Sequence, residues 1–132
     1  MIFIDTGAFI ARYIQADQHH KKAQQLWKKL EKSKEKLMTS NFVLDETFTL
    51  MARKSHYSFA LETANIIYSS SIFSIVRPDA EVELNALKFF EKFSDQKVSY
   101  TDCISFQLMR DHHVKKVFTF DRHFQLLGFE AL

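Results

Sequence analysis

Residues 2–4, Ile-Phe-Ile, are three apolar side chains in a row, and Asp5 follows them directly. A strand with one wet face alternates apolar and polar residues. An unbroken run belongs to a strand covered on both faces, as in a parallel sheet packed between helices. Further strand-like runs follow at 36–39, 72–76, 116–119 and 129–131, the run at 36–39 short and weakly marked. Helical patterns separate most of them. Residues 8–14 read as a short helix. Residues 20–35 place Ala23, Leu26, Trp27 and Leu30 on one face at i, i+3, i+4, i+7 spacing. Ser40 or Asn41 caps a helix to about Lys54, a further helix spans Tyr57 to Ser70, and Asp79 caps one through Phe93. Ser99 and Thr101 are suited to cap a helix running from Asp102 to about His112, and residues 124–127 form a turn or short helix. Strands separated by helices predict an α/β fold: a mainly parallel central sheet of about four to five strands, flanked by helices, in one domain spanning 1–132.

Composition excludes several classes. Two Gly and one Pro in 132 residues mean few breaks and short connections. The single Cys103 excludes an internal disulfide and fits a reducing compartment. No apolar run approaches the roughly 20 residues needed to span a bilayer. The N-terminus lacks the basic region and cleavage site of a signal peptide, so the expected location is the cytoplasm and no membrane partner is expected. Net charge is +2, but the lysines cluster between Lys21 and Lys36. They form either a solvated helix face or a footprint for a polyanion, with Lys28, Lys29 and Lys32 as candidate phosphate contacts. Fourteen Phe and the apolar 57–70 helix exceed what one small core buries, which predicts a homodimer through helical surfaces.

Chemistry is carried by acids at strand ends and helix starts. In an open α/β sheet, ligands bind beyond the carboxyl ends of the strands. Asp5 ends the first strand and Asp121 lies just past the fourth. Asp102 opens a helix whose N-terminus faces the same crevice. Glu46 is the odd residue of its helix: its neighbours three and four positions away are Phe42, Val43, Thr49 and Leu50. A carboxylate on so apolar a stripe is costly to bury unless it is paired or bound to metal. Asp45, beside Asn41 and Thr49, takes a solvent or capping role. Four converging carboxylates raise one another's pKa values, and a divalent cation relieves that repulsion. Oxygen ligands without a Cys or His cluster suit Mg²⁺ or Mn²⁺ rather than zinc, and such ions serve phosphate chemistry. His19, His20, His112 and His113 lack zinc-ligand spacing and are expected at the surface. Cys103 reads as a small buried residue. Arg122 and His123 are candidate contacts to substrate phosphate.

Four segments together resemble the PIN domain, in its VapC-type toxin branch. They are Phe3-Ile4-Asp5-Thr6; Thr39-Ser40 with Glu46; Ser99 to Phe106; and Thr119 to Phe124 with Gly128-Phe129. The order and spacing cover nearly the whole chain, and the last two segments, about 20 residues apart, are the most specific. The resemblance implies a three-layer α/β sandwich and a Mg²⁺- or Mn²⁺-dependent endoribonuclease acting as the toxin of a toxin–antitoxin pair. It implies Asp5, Glu46, Asp102 and Asp121 as catalytic and metal-holding residues, with Thr6 and Thr101 as supporting hydroxyls. It further implies a homodimer and an inhibitory antitoxin. One departure stands out: His123 occupies the place where many members carry a second acid, a pattern compatible with one bound metal. The competing reading is a PIN-like module without catalysis, retained for binding RNA or protein. A small-molecule phosphatase working through an aspartyl-phosphate wants a second Asp close to Asp5, and Thr6-Gly7-Ala8 offers none.

Overall fold

The computed structural model describes residues 1–132. Five strands form one fully parallel sheet: β1 (Ile2–Ile4), β2 (Leu37–Ser40), β3 (Phe73–Val76), β4 (Lys116–Phe118) and β5 (Glu130–Ala131). Seven helices accompany them: α1 (Thr6–Tyr13), α2 (His20–Ser33), α3 (Asn41–Lys54), α4 (Tyr57–Ser69), α5 (Ala80–Lys92), α6 (Tyr100–Asp111) and α7 (His123–Leu126). The strand order is β3-β2-β1-β4-β5. The chain therefore builds one half of the sheet outward from β1, then crosses to β1's other side. With this strand order, the right-handed rule for parallel crossovers assigns α1–α4 to one face and α5–α7 to the other. Helix packing divides accordingly: α1 meets α2 and α3, α3 meets α4, and α5 meets α6.

The buried runs behave as the uninterrupted apolar pattern requires. Every residue of β1 and β2 is buried, including Thr39 and Ser40. Thr39 satisfies its hydroxyl by donating to the Ile4 carbonyl at 3.0 Å, and Ser40 caps α3 by accepting from the Val43 N–H. Trp27 projects from α2 into the main core, where it meets Phe9 and Phe118 and donates its indole N–H to the Ala8 carbonyl at 3.1 Å. Phe106 anchors the opposite face between Phe89, Phe124 and Phe129. Gly128, at φ +81°, lets the chain leave α7 and return into β5. No helix is long and apolar enough to cross a membrane.

Three local expectations shift. The helix after β1 starts at Thr6, because Asp5 itself is the extended residue before it. The later helix starts at Tyr100, so Thr101 is not its cap; Ser99 alone fills that role, accepting from the Asp102 N–H at 3.1 Å. Asp102 is consequently the third residue of α6, inside the first turn, where the positive end of the helix dipole favours an anion. His19 and His20 are half-buried rather than surface residues: His19 stacks on Phe120, and His20 Nδ1 lies 2.7 Å from the Ala11 carbonyl oxygen.

Candidate active site

The reversal between β1 and β4 leaves a crevice at the carboxyl ends of these two central strands, where ligands bind in open α/β sheets. Asp5 emerges there from β1, and its backbone N–H extends the pairing by donating to the Phe118 carbonyl of β4 at 3.1 Å. Thr119, Phe120 and Asp121 leave β4 on the other side. Asp102 arrives from the first turn of α6, and Glu46 from the second turn of α3, followed four residues on by Leu50. Asp5, Glu46, Asp102 and Asp121 all line one open cleft of about 800 Å³. Four elements distant in sequence thus contribute one acid each.

Hydrogen bonds hold two of these acids in fixed orientations. The Thr119 hydroxyl donates to Asp5 Oδ2 at 2.8 Å and accepts from the Asp121 backbone N–H at 2.9 Å. Asp121 Oδ1 accepts from the His123 N–H at 2.9 Å. His123 Nδ1 also lies 2.8 Å from Asp121 Oδ1, but out of line for a hydrogen bond. Thr119 is buried at 4% exposure, so this hydroxyl is a rigid tie between the two strand ends.

The electrostatics are one-sided. Asp5 and Asp102 are 4% and 8% exposed, and no Lys or Arg forms an ion pair with any of the four acids. Burial pushes the Asp5 carboxyl up to about 6, reinforced by the charges of Asp121 and Glu46 and opposed by the Thr119 hydroxyl and the Thr6 N–H. Burial raises Asp102 further, to about 9, with Asp5 and Asp121 adding repulsion and Asp121 sharing a hydrogen bond. Without a cation, the folded protein therefore holds Asp102 protonated at neutral pH. Next to it, Cys103 is fully buried and its thiol is pushed up to about 11, which suits packing rather than nucleophilic chemistry.

A hard divalent cation fits this donor set. Ligand atoms of Asp102, Asp121 and His123 lie within 4.8 Å of one another, and Asp5 is adjacent. Thr6 lines the same cleft at 6% exposure, and its buried hydroxyl has no hydrogen-bond partner. A buried hydroxyl without a partner needs a water or ligand oxygen. Carboxylate oxygens in this number, with one imidazole at the edge, match magnesium or manganese better than zinc.

The other predicted residues divide. Thr6, Arg122 and His123 line the cleft. Thr101 does not; its carbonyl accepts the Ser105 hydroxyl within α6. Lys28, Lys29 and Lys32 also lie outside the cleft lining, further along α2. A second basic residue reaches it beside Arg122, unforeseen from the sequence: Lys97, held in a left-handed conformation (φ 56°) two residues before the Ser99 cap. Its signal was present: a loop that leads directly into a helix start at a sheet's carboxyl edge lies beside the site. Phe120, read only as part of a motif, forms a wall of the cleft.

The comparisons with known proteins agree with this geometry. The family model described as "PIN domain" matches residues 2–130. The 23S rRNA-specific endonuclease VapC20 of Mycobacterium tuberculosis is 31% identical over 129 residues, covering 98% of this chain and 95% of that protein. A VapC ribonuclease of Archaeoglobus fulgidus is 30% identical over 125 residues, covering 93% of this chain and 78% of that protein. The crystal structure of Mycobacterium tuberculosis VapC20, described as a Sarcin-Ricin loop cleaving toxin, superposes with a TM-score of 0.88 at 29% identity, covering 98% of this chain and 96% of that one. With the sheet order, the acidic crevice and the alignment all spanning the same length of chain, this protein belongs to the PIN domain family.

Proposed function

We propose that this chain is a metal-dependent endoribonuclease that hydrolyses RNA phosphodiester bonds as the toxin of a toxin–antitoxin pair. The observation that carries the reading is the convergence of Asp5, Glu46, Asp102 and Asp121 in one cleft with no Lys or Arg ion-paired to any of them. A module that only binds RNA has no use for so concentrated a negative charge, which repels the ligand. The names of the relatives, an rRNA endonuclease and a VapC ribonuclease, support the same activity and make ribosomal RNA the first substrate to try.

In this reading Asp5, Asp102 and Asp121 hold Mg²⁺ or Mn²⁺, with Glu46 on the cleft wall and His123 at its edge. When bound, such an ion supplies a water of lowered pKa and neutralises charge on the phosphate. The chain's own residues do the rest. Thr119 keeps Asp5 and Asp121 pointed into the cleft. Glu46, half-buried, offers a carboxylate to take up the proton released as the water oxygen bonds to phosphorus; the bond from phosphorus to the leaving ribose oxygen breaks, and that oxygen takes its proton from water. The Thr6 hydroxyl is free to bond a water or a phosphate oxygen. Lys97 and Arg122 line the cleft without an ion pair and are free to meet the RNA backbone. A single 1–132 domain, a homodimeric state, a cognate protein antitoxin and a cytoplasmic setting complete the proposal.

The test is cleavage of total cellular RNA by the purified protein in Mg²⁺, in Mn²⁺ and in EDTA, beside the Asp5→Asn variant. Discrete cuts with metal, absent in EDTA and in Asp5→Asn, are expected. RNA binding without cutting in either metal would transfer the chain to the binding-module reading.

A further inference from the structure

Beside the acidic cleft, on the far side of Phe120, lies a second hollow of about 480 Å³. Phe120, Asp121 and Arg122 border both. The two hollows differ sharply in charge. The cleft gathers four acidic side chains with Lys97 and Arg122 at its wall, whereas the second hollow is walled by His19, Lys22 and Arg122, with Asp121 as its one acidic side chain beside Gln125, Ala131 and Leu132. Lys22 and Arg122 are exposed, and neither forms an ion pair. The hollow also contains an aromatic platform. The imidazole of His19 lies flat against the Phe120 ring, centroids 4.3 Å apart and planes within 2°, and Lys22 Nζ stands 6.0 Å from the same ring. His19 directly precedes α2 and Phe120 directly precedes Asp121, so the stack joins the start of α2 to the end of the catalytic strand.

A parallel stack of two flat rings, edged by two unpaired cations, suits a nucleotide: a base extends the stack and its phosphate meets Lys22 and Arg122. We infer that this hollow is a subsite for the RNA nucleotide next to the scissile phosphate, with His19 and Phe120 as its base platform and Lys22 and Arg122 as its phosphate contacts. The inference rests on the reading that the cleft cuts RNA. A strand whose scissile phosphate lies among the acids must leave past one wall, and Phe120 is the wall with positive charge beyond it. The subsite also gives α2 a role at its first turn, while Lys28, Lys29 and Lys32 lie outside both hollows.

The experiment separates binding from cutting. Fluorescence anisotropy of a short single-stranded RNA of mixed sequence, in EDTA so that no strand is cut, compares wild type with Phe120→Leu, Phe120→Tyr, Lys22→Gln and Lys116→Gln. Lys116 is exposed at the start of β4, the opposite end of the sheet from the cleft, and is the charge-matched control. Phe120→Leu is expected to weaken binding by about tenfold, the scale of one lost base–aromatic stack, while Phe120→Tyr, which keeps the ring, binds as wild type does. Lys22→Gln, on an exposed side chain with no folding role, is expected to reduce the log–log salt slope by about one. Equal affinity and slope for wild type, Phe120→Leu and Lys22→Gln would overturn the subsite, as would a wild type that does not bind the RNA. Loss confined to these variants in a protein that never cuts RNA with metal would keep the hollow as a nucleotide site, refute the nuclease, and overturn the site's place beside a scissile phosphate.

Discussion

Replacing Asp102 by Asn separates a structural acid from a metal-holding one, because the two roles predict opposite signs for stability. In the folded, metal-free protein this carboxyl is 8% exposed and raised from its ordinary 3.8 to about 9. At pH 7 it is ionised in the unfolded chain and protonated in the folded one. The folded state therefore binds more protons, and stability falls as pH rises through that window. Forgone ionisation costs about 1.4 kcal/mol per pH unit, so the ceiling between 3.8 and 7 is about 4 kcal/mol. Relaxation and an effective dielectric near 20 reduce this, and the helix dipole adds no loss, because the folded carboxyl at pH 7 is already neutral. A net gain of about 1–3 kcal/mol for Asp102→Asn remains, or about 3–10 °C in a chain of this size. Calorimetry in EDTA should show the variant melting above wild type at pH 7, with the difference shrinking toward pH 5. Mg²⁺ at about 100 times its Kd should then stabilise wild type by about 2.7 kcal/mol and the variant by much less. RNA cleavage should be nearly abolished. A variant less stable than wild type in EDTA at every pH, or stabilised by Mg²⁺ as much as wild type, would refute the assignment of Asp102 as an uncompensated metal-holding carboxylate.

Thr119→Val should remove the tie between Asp5 and Asp121 and strand the Asp121 N–H, destabilising the fold by about 1–3 kcal/mol. Because that hydroxyl lowers the Asp5 pKa, the variant's Asp5 should titrate above wild type's, measurable by carboxyl NMR in EDTA. Sedimentation at micromolar concentration should give twice the 15.6 kDa chain mass, since Tyr57 (80% exposed), Leu61 and Leu84 leave large apolar side chains uncovered on the single chain; a monomer would contradict this. Cys103 should react with a thiol reagent only on unfolding, so labelling in native buffer that keeps pace with labelling in denaturant would contradict its full burial.

Much of this molecule was legible in local pattern. The unbroken Ile2-Phe3-Ile4 run announced a strand covered on both faces, and β1 is fully buried. The face carrying Ala23, Trp27 and Leu30 announced the side of α2 that meets the core. Glu46 betrayed itself by its apolar neighbours, since a carboxylate on such a stripe needs a partner that the helix cannot supply. Signals of this kind survive because periodicity, capping and turn chemistry act over a few residues. Helix starts were less secure: both helices begin two residues earlier than expected, at Thr6 and Tyr100, because Asp5 and Ser99 supply the extended residue before the first turn.

What the sequence determined by itself was the fold class and the expectation that four acids share one cleft, which they line, because strand burial, helix periodicity and carboxylate desolvation leave marks on neighbouring residues. What only the tertiary structure decided was which distant residues share a wall. The sheet order β3-β2-β1-β4-β5 opens the crevice between β1 and β4, and that crossing point brings Thr119 to Asp5, Lys97 to the acids, and His19 flat against Phe120. The same geometry left Thr101 and the Lys28–Lys32 face outside the cleft, although both look equally suitable in one dimension. Such pairings span as many as 114 residues of chain, and they follow from strand order and crossover hand, which no short stretch of side chains encodes.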